Sequence, residues 1–320
     1  MVEEEVSRSL ARGSALDFST SDRGGLAYVS TAGRSLTRLR WLDRTGVELG
    51  TVGVPGDYQN PMLSPDETRL AVQKRDDDIW TINLVRGGDQ RFKFDDALDM
   101  APLWTPQGDQ IVFMSYRNTR IGDLWVKGTA GDEAAVRLLR TDTMKVPTSW
   151  SADGAILSYT TVGEDFDIRL LTMPENESTS FLSTVFAEGA GVISPDGRWM
   201  AYRSNESGER RIYLQSFPSS GGQWPVSTAG GVMPRWSADG QELYWVTLDH
   251  QELMAVDIDG SGDTPVVGIP HALFRVPFRQ TPIQRNVFDV SSDGQRFLVN
   301  AYVEGAVSAQ SRGSSTGLRN

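Results

Sequence analysis

Short runs of alternating apolar and polar residues recur along this chain in a fixed order. In seven places a hydroxyl residue stands two positions before an Asp or Gln, and apolar side chains stand four and six positions after it. Taking the Asp or Gln as position zero, the copies are centred on Asp22, Asp66, Gln107, Asp153, Asp196, Asp239 and Asp293. The hydroxyls are Thr20, Ser64, Thr105, Ser151, Ser194, Ser237 and Ser291, and Gly follows position zero in five of the seven copies. The apolar pairs run from Leu26 and Tyr28 through Met200 and Tyr202 to Phe297 and Val299. A period of two predicts half-buried strands. Asp-Gly between two such runs predicts a tight hairpin, since Gly accepts the positive φ and the Asp side chain binds nearby backbone amides. The serines are therefore turn residues, not nucleophiles.

The centres lie 44, 41, 46, 43, 43 and 54 residues apart. A repeat of about 40–50 residues holding four strands is the signature of a β-propeller. The pattern predicts an all-β fold of four-stranded antiparallel blades, seven blades preferred over six with an appended hairpin. Residues 1–309 form one propeller domain on this reading, and residues 310–320 a disordered tail. The last copy has only its hairpin, Asn286–Ser291 with Gln295–Asn300, so closure of the ring by both termini is expected, with Val2–Leu10 supplying an outer strand. Val266–Pro282 reads as an extended loop. The third strand of several blades opens on a charge, Asp78, Asp123, Asp167, Arg211 or Glu252. Its changing sign suggests a solvated strand start.

Composition narrows the partners. Lys and Arg number 31 against 42 Asp and Glu, for a net charge of −11, with no basic stripe. Nucleic acid and direct membrane insertion are excluded on these grounds. No apolar run reaches the roughly 20 residues that a membrane helix needs. There is no Cys, which removes disulfide and thiolate chemistry. The acidic start, Met1-Val2-Glu3-Glu4-Glu5, lacks the order of a secretory signal. A soluble monomer is expected.

Trp/Leu-Ser-Pro/Ala-Asp-Gly, an apolar hairpin strand and then Asp-Ile/Leu-Trp together resemble the TolB-like, WD-type propeller repeats of bacteria. Leu39–Gly46, Ser204–Gly208, Ser216-Phe217-Pro218 and Phe288–Ser291 resemble, more narrowly, the propeller attached to some bacterial serine/threonine protein kinases. That resemblance implies an extracytoplasmic, periplasmic sensing or interaction region, with a cytoplasmic setting as the alternative. The chain itself has no kinase domain.

Catalytic motifs are absent. Only two histidines occur, His250 and His271, and no Gly-x-x-x-x-Gly-Lys loop is present. The acidic stretch Asp257–Asp263 reads as a turn between strands and lacks the twelfth-position ligand of a calcium loop. No cofactor and no metal is expected. Trp104, Trp150 and Trp236 share one register with Leu63 and Ile193, which marks them as packing between blades; Trp224 is the candidate for an exposed contact. Propellers bind where loops meet the channel mouth. The residues leading into each inner strand, Tyr58, Asn60, Asp99, Lys145, Glu188, Val232, Arg285 and Asn286, are the candidate binding set. The expected function is a non-catalytic module binding a protein, peptide or small ligand. A propeller glycoside hydrolase or lyase, a gating domain of a serine peptidase, and an envelope scaffold are the alternatives.

Overall fold

The computed structural model describes residues 36–303 except 75–77, 93–96, 118, 131–132, 164–165, 220 and 280–285, together with short strands at 18–20 and 26–28. The chain divides into two units, residues 1–35 with 305–320, and residues 36–304. In the first, β1 (Phe18–Thr20) and β2 (Leu26–Tyr28) pair antiparallel with Ser19 opposite Ala27. In the second, every described element is a strand or a turn.

Six sheets make up the larger unit. Blade 1 holds β5 (Gln59–Leu63), β6 (Arg69–Lys74), β7 (Asp78–Asn83) and β8 (Asp89–Arg91). Blade 2 holds β9 (Asp99–Trp104), β10 (Gln110–Ser115), β11 (Asp123–Gly128) and β12 (Val136–Leu139). Blade 3 runs from β13 (Met144–Trp150) through β14 (Ile156–Val162) and β15 (Phe166–Thr172) to β16 (Glu177–Leu182). Blade 4 runs from β17 (Gly189–Ile193) through β18 (Trp199–Ser204) and β19 (Arg211–Ser216) to β20 (Gln223–Pro225). Blade 5 has β21 (Val232–Trp236), β22 (Glu242–Val246) and β23 (Glu252–Asp259), whose outer edge pairs with both β24 (Val266–Val267) and β25 (His271–Arg275). Blade 6 is composite: β26 (Phe288–Val290) and β27 (Arg296–Tyr302) form its inner half, β3 (Thr37–Asp43) and β4 (Glu48–Gly56) its outer half.

The blade count is therefore six, not the preferred seven. The first and last copies do not each make a blade, because β3 pairs with β27 in seven successive registers, from Arg296 opposite Asp43 to Tyr302 opposite Thr37. The unbroken ladder leaves no backbone groups of β27 open, as a sheet edge would. Both ends of the ring's sequence meet in this blade, but the strands that close it are β3 and β4; Val2–Leu10 and the 310–320 tail lie outside the described residues. The expected loop over Val266–Pro282 contains β24 and β25 instead. Phe274 of β25 is buried and its ring lies 5.6 Å from that of Phe297, so the strand covers the joint between blades 5 and 6.

The turns are built as the pattern predicts. Ser64, Ser151, Ser194, Ser237 and Ser291 each donate a hydroxyl bond of 2.5–2.6 Å to the Asp two positions on. That Asp accepts the amide two positions further, as Asp239 does from Gln241 at 3.0 Å. In the third copy, Thr105 turns instead to Asp109 at 2.8 Å, because Gln107 cannot serve as a carboxylate. Gly154 and its counterparts hold the positive φ, 74° at Gly154, that closes the turn.

Apolar cores lie between blades, not inside them. One cluster packs Val192, Trp199 and Ile212 of blade 4 against Trp236, Leu243 and Val256 of blade 5. Another packs Leu39 and Leu298 of blade 6 against Leu63 and Leu70 of blade 1. Trp224, expected to be exposed, stands edge-on to Trp199 with ring centroids 5.4 Å apart. Two of the five charges opening the third strands also differ from expectation. Asp78 and Asp123 are buried, at 3% and 0% exposure, and each meets a cation.

Candidate functional site

Four of the six inner strands are interrupted by a bulge six positions before the turn centre. Asn60, Ala101, Ala190 and Met233 take positive φ there, between 50° and 60°, and the pairing register shifts across them. A bulge re-aims the side chains that follow it. The strand thus has a leading end before the bulge and a trailing end after it, with different surroundings.

At the leading end the polar residues are buried and engaged. Lys145 has no exposure; its Nζ lies 3.1 Å from the Asp123 carboxylate of the preceding blade and donates to the Thr143 carbonyl at 2.5 Å. Burial pushes the Lys145 ammonium pKa down, with Asp123 opposing. Asp99, also without exposure, pairs with Arg117 at 3.5 Å. Glu188 accepts the Thr184 hydroxyl, and burial pushes its carboxyl pKa up. Tyr58 donates its hydroxyl to the Val54 carbonyl at 2.7 Å, and Val232 belongs to the apolar cluster between blades 5 and 6. Asn60 Nδ2 donates to Gln73 at 3.3 Å, while its Oδ1 accepts the Asn286 amide at 2.9 Å. Of the eight expected residues, the structure brings Asn60 and Asn286 together across the seam between blades 6 and 1. Arg285 lies outside the described residues.

The trailing end is different. Four positions before the turn centre stand Met62, Leu103, Ser149, Val192, Arg235 and Asp289, one from each blade, and all six border a single cavity of about 250 Å³. A cavity walled by every blade lies on the ring axis. Pro65 and Pro106 of the hairpin turns also border it, so it opens at the turn end of the ring.

Two charges stand in that layer. Arg235 Nε approaches Asp289 Oδ1 at 3.8 Å, a loose contact, with side-chain exposures of 11% and 13%. Asp289 instead accepts the Leu63 amide at 2.8 Å and the Val290 amide at 3.1 Å. Arg235 donates to the Pro234 carbonyl at 3.2 Å and to Met62 Sδ at 3.4 Å, and its Nε makes no hydrogen bond. Burial pushes the guanidinium pKa down and the carboxyl pKa up; their attraction opposes both shifts without overcoming them. Asp289 is the one carboxylate among the cavity's described lining residues.

One position later come the indoles. Trp104 Nε1 donates to the Met62 carbonyl at 3.0 Å and Trp236 Nε1 to the Val192 carbonyl at 3.1 Å, each stitching its blade to the preceding one. Trp150 occupies the same register in blade 3, yet its buried indole N–H meets no acceptor. Two residues of the cavity wall, Arg235 and Trp150, thus each hold a buried N–H, at Nε and Nε1, that makes no hydrogen bond.

A profile of the TolB beta propeller domain (PD40) matches residues 16–217. The chain belongs to the TolB propeller family. A protein assigned as TolB from Agrobacterium tumefaciens is similar in structure, with a TM-score of 0.71 and 17% identity over 84% of this chain and 99% of that one. TolB from Acinetobacter baumannii is similar at a TM-score of 0.58 and 14% identity, covering 75% of this chain and 67% of its own. An oligogalacturonate lyase solved with manganese has a TM-score of 0.57 and 12% identity, covering 91% of this chain and 97% of its own. At such identities the likeness is one of fold. Comparison with curated proteins finds no sequence match.

Within this TolB-type ring, among the described residues, no group of three or more His, Asp or Glu side chains is placed to hold a metal ion. His250 sits in a turn with φ of 55° and its Nδ1 3.3 Å from the Arg279 carbonyl, while His271 opens β25 at the surface. The acidic loop after β23 is held by Arg198, which donates to the carbonyls of Gly260, Ser261 and Gly262 at 2.6–2.7 Å. A guanidinium thus takes oxygens that a cation would need. No helix of the described residues is long and apolar enough to cross a membrane. The axial layer was missed in the sequence because it lacks a shared residue type; that diversity, beside the restricted Trp, Leu, Ile and Val of the next position, was the available signal.

Proposed function

We propose that the chain is a non-catalytic binding module and that its working site is the axial cavity at the turn end of the ring. The observation that carries this reading is a cavity of about 250 Å³ to which all six blades contribute and on whose wall Arg235 and Asp289 approach each other only at 3.8 Å. The leading-end residues take the complementary role of holding the ring, with Asn286 reaching the cavity through Met62 Sδ at 3.3 Å.

The TolB-type fold supports a binding role, and a lone carboxylate in the cavity does not supply the pair that glycoside cleavage uses. In a receptor-type serine/threonine kinase such a ring would be the sensing region outside the cytoplasm, a finer reading that rests on the sequence segments alone. The test is capture of ligands from envelope and cytosolic extracts on the immobilised chain and on Arg235→Met. A ligand retained by the first and lost by the second is expected. Equal retention on both, or turnover of oligogalacturonate by the chain, would sink the reading.

A further inference from the structure

We propose that the axial cavity selects a single carboxylate carried on a flat apolar body, with Arg235 as its anchor. The inference rests on the cavity being the working site and adds the chemistry of what enters it.

A guanidinium carries five N–H donors in a fixed fork. In Arg235 one is spent on the Pro234 carbonyl at 3.2 Å and another on the Met62 sulfur at 3.4 Å, a weak acceptor. Its Nε has only the 3.8 Å approach of Asp289, whose oxygens already accept two backbone amides. The wall's other side-chain hydroxyls are occupied: Ser149 donates to the Gly191 carbonyl at 3.3 Å and accepts the Ile193 amide at 2.9 Å, and Thr148 donates to the Ser158 carbonyl at 3.0 Å. A ligand that brings acceptors can meet the guanidinium hydrogens that these bonds leave over. A carboxylate brings two, in the plane that a guanidinium fork matches.

Charge and shape set the remaining limits. Asp289 stands beside Arg235, so a second anion is repelled by it, and a dianion such as a phosphate ester more than a monoanion. Met62, Leu103 and Val192 with the three indoles give the wall an apolar part, which suits an aromatic or short aliphatic body.

The experiment is calorimetric titration of the full chain with three probes sharing one ring: phenylacetate, phenylacetamide and phenethylammonium. Phenylacetate alone is expected to bind. Arg235→Gln should weaken it at least about tenfold, since a charge-assisted fork is lost. Arg235→Lys, which keeps the charge, should lie between. Asp289→Asn keeps an oxygen for the Leu63 amide and removes the competing charge, so it should tighten phenylacetate several-fold. Equal binding of phenylacetamide, or binding of phenethylammonium that Asp289→Asn abolishes, would overturn carboxylate selection while leaving the cavity as a binding site. No heat from any probe would overturn both, given thermal unfolding of each variant near that of the parent.

Discussion

The two ends of the inner strands are a few residues apart in sequence and use polar groups in opposite ways. At the leading end, charges and amides are sealed in the seams and answered: Lys145 by Asp123, Asp99 by Arg117, Asn60 by Gln73 and Asn286. At the trailing end, Arg235 and Asp289 are nearly as buried but answer each other only at 3.8 Å, and Trp150 Nε1 is answered by nothing among the described residues. A buried polar group that is satisfied holds a structure together; one that is left open is the feature that invites a ligand. The closeness of the pairing separates the two ends of this ring: Lys145 stands 3.1 Å from Asp123, Arg235 only 3.8 Å from Asp289.

The largest effect that would break the comparison is at Lys145. Lys145→Ala leaves the Asp123 carboxylate buried without its ammonium, and breaking such a pair from one side costs about 3–5 kcal/mol. Urea unfolding should show that loss, and the double replacement Lys145→Met with Asp123→Leu should recover most of it. A loss below about 1 kcal/mol would put Lys145 in solvent. The leading end would then regain its claim to be an open binding surface.

The indoles sharpen the contrast at the trailing end. Trp104→Phe and Trp236→Phe each remove a donor from a buried carbonyl, at a cost of about 1–3 kcal/mol from that group alone. Trp150→Phe removes a donor that has no acceptor, so it should cost less than either by at least about 1 kcal/mol in the same urea series. Equal losses at all three positions would show that Trp150 makes the same stitch and that the cavity wall has one unmet donor fewer.

The frame of this molecule was legible in its sequence because the turn is local. Ser237, Asp239 and Gly240 determine their hairpin with contacts inside five residues, and the apolar alternation after them defines the face that is buried. Blade number was not legible, because it depends on a choice of partner between distant segments: β3 pairs with a strand more than 250 residues away in sequence, and nothing in Thr37–Asp43 announces β27 over a nearer strand. The candidate site was half legible. The inner strands were placed correctly, but the bulge at Asn60, Ala101, Ala190 and Met233 decides which of their side chains reach the axis, and a positive φ at Ala or Met has no sequence signature. Burial of Asp123 was hidden for the same reason: its partner Lys145 comes from the next blade.

The smallest effect concerns the turns, which sit beside the cavity and hold its rim. Ser237→Ala removes a hydroxyl that donates to Asp239 at 2.6 Å and accepts the Glu242 amide at 2.8 Å, a loss of about 1 kcal/mol. The same latch predicts an acid response. The seryl hydroxyl, followed by the backbone amide, holds the carboxyl pKa of Asp66, Asp153, Asp239 and Asp293 below the usual aspartate value. A depressed native value means that the contribution is complete above the unfolded-state pKa and is lost as pH falls through the native one. Urea midpoints should therefore hold to about pH 5 and decline below about pH 4. The Ser237→Ala variant should decline less over that window, because its Asp239 has lost the bond that lowers its pKa. An identical decline in parent and variant would show that the Ser237–Asp239 bond does not set the acid response.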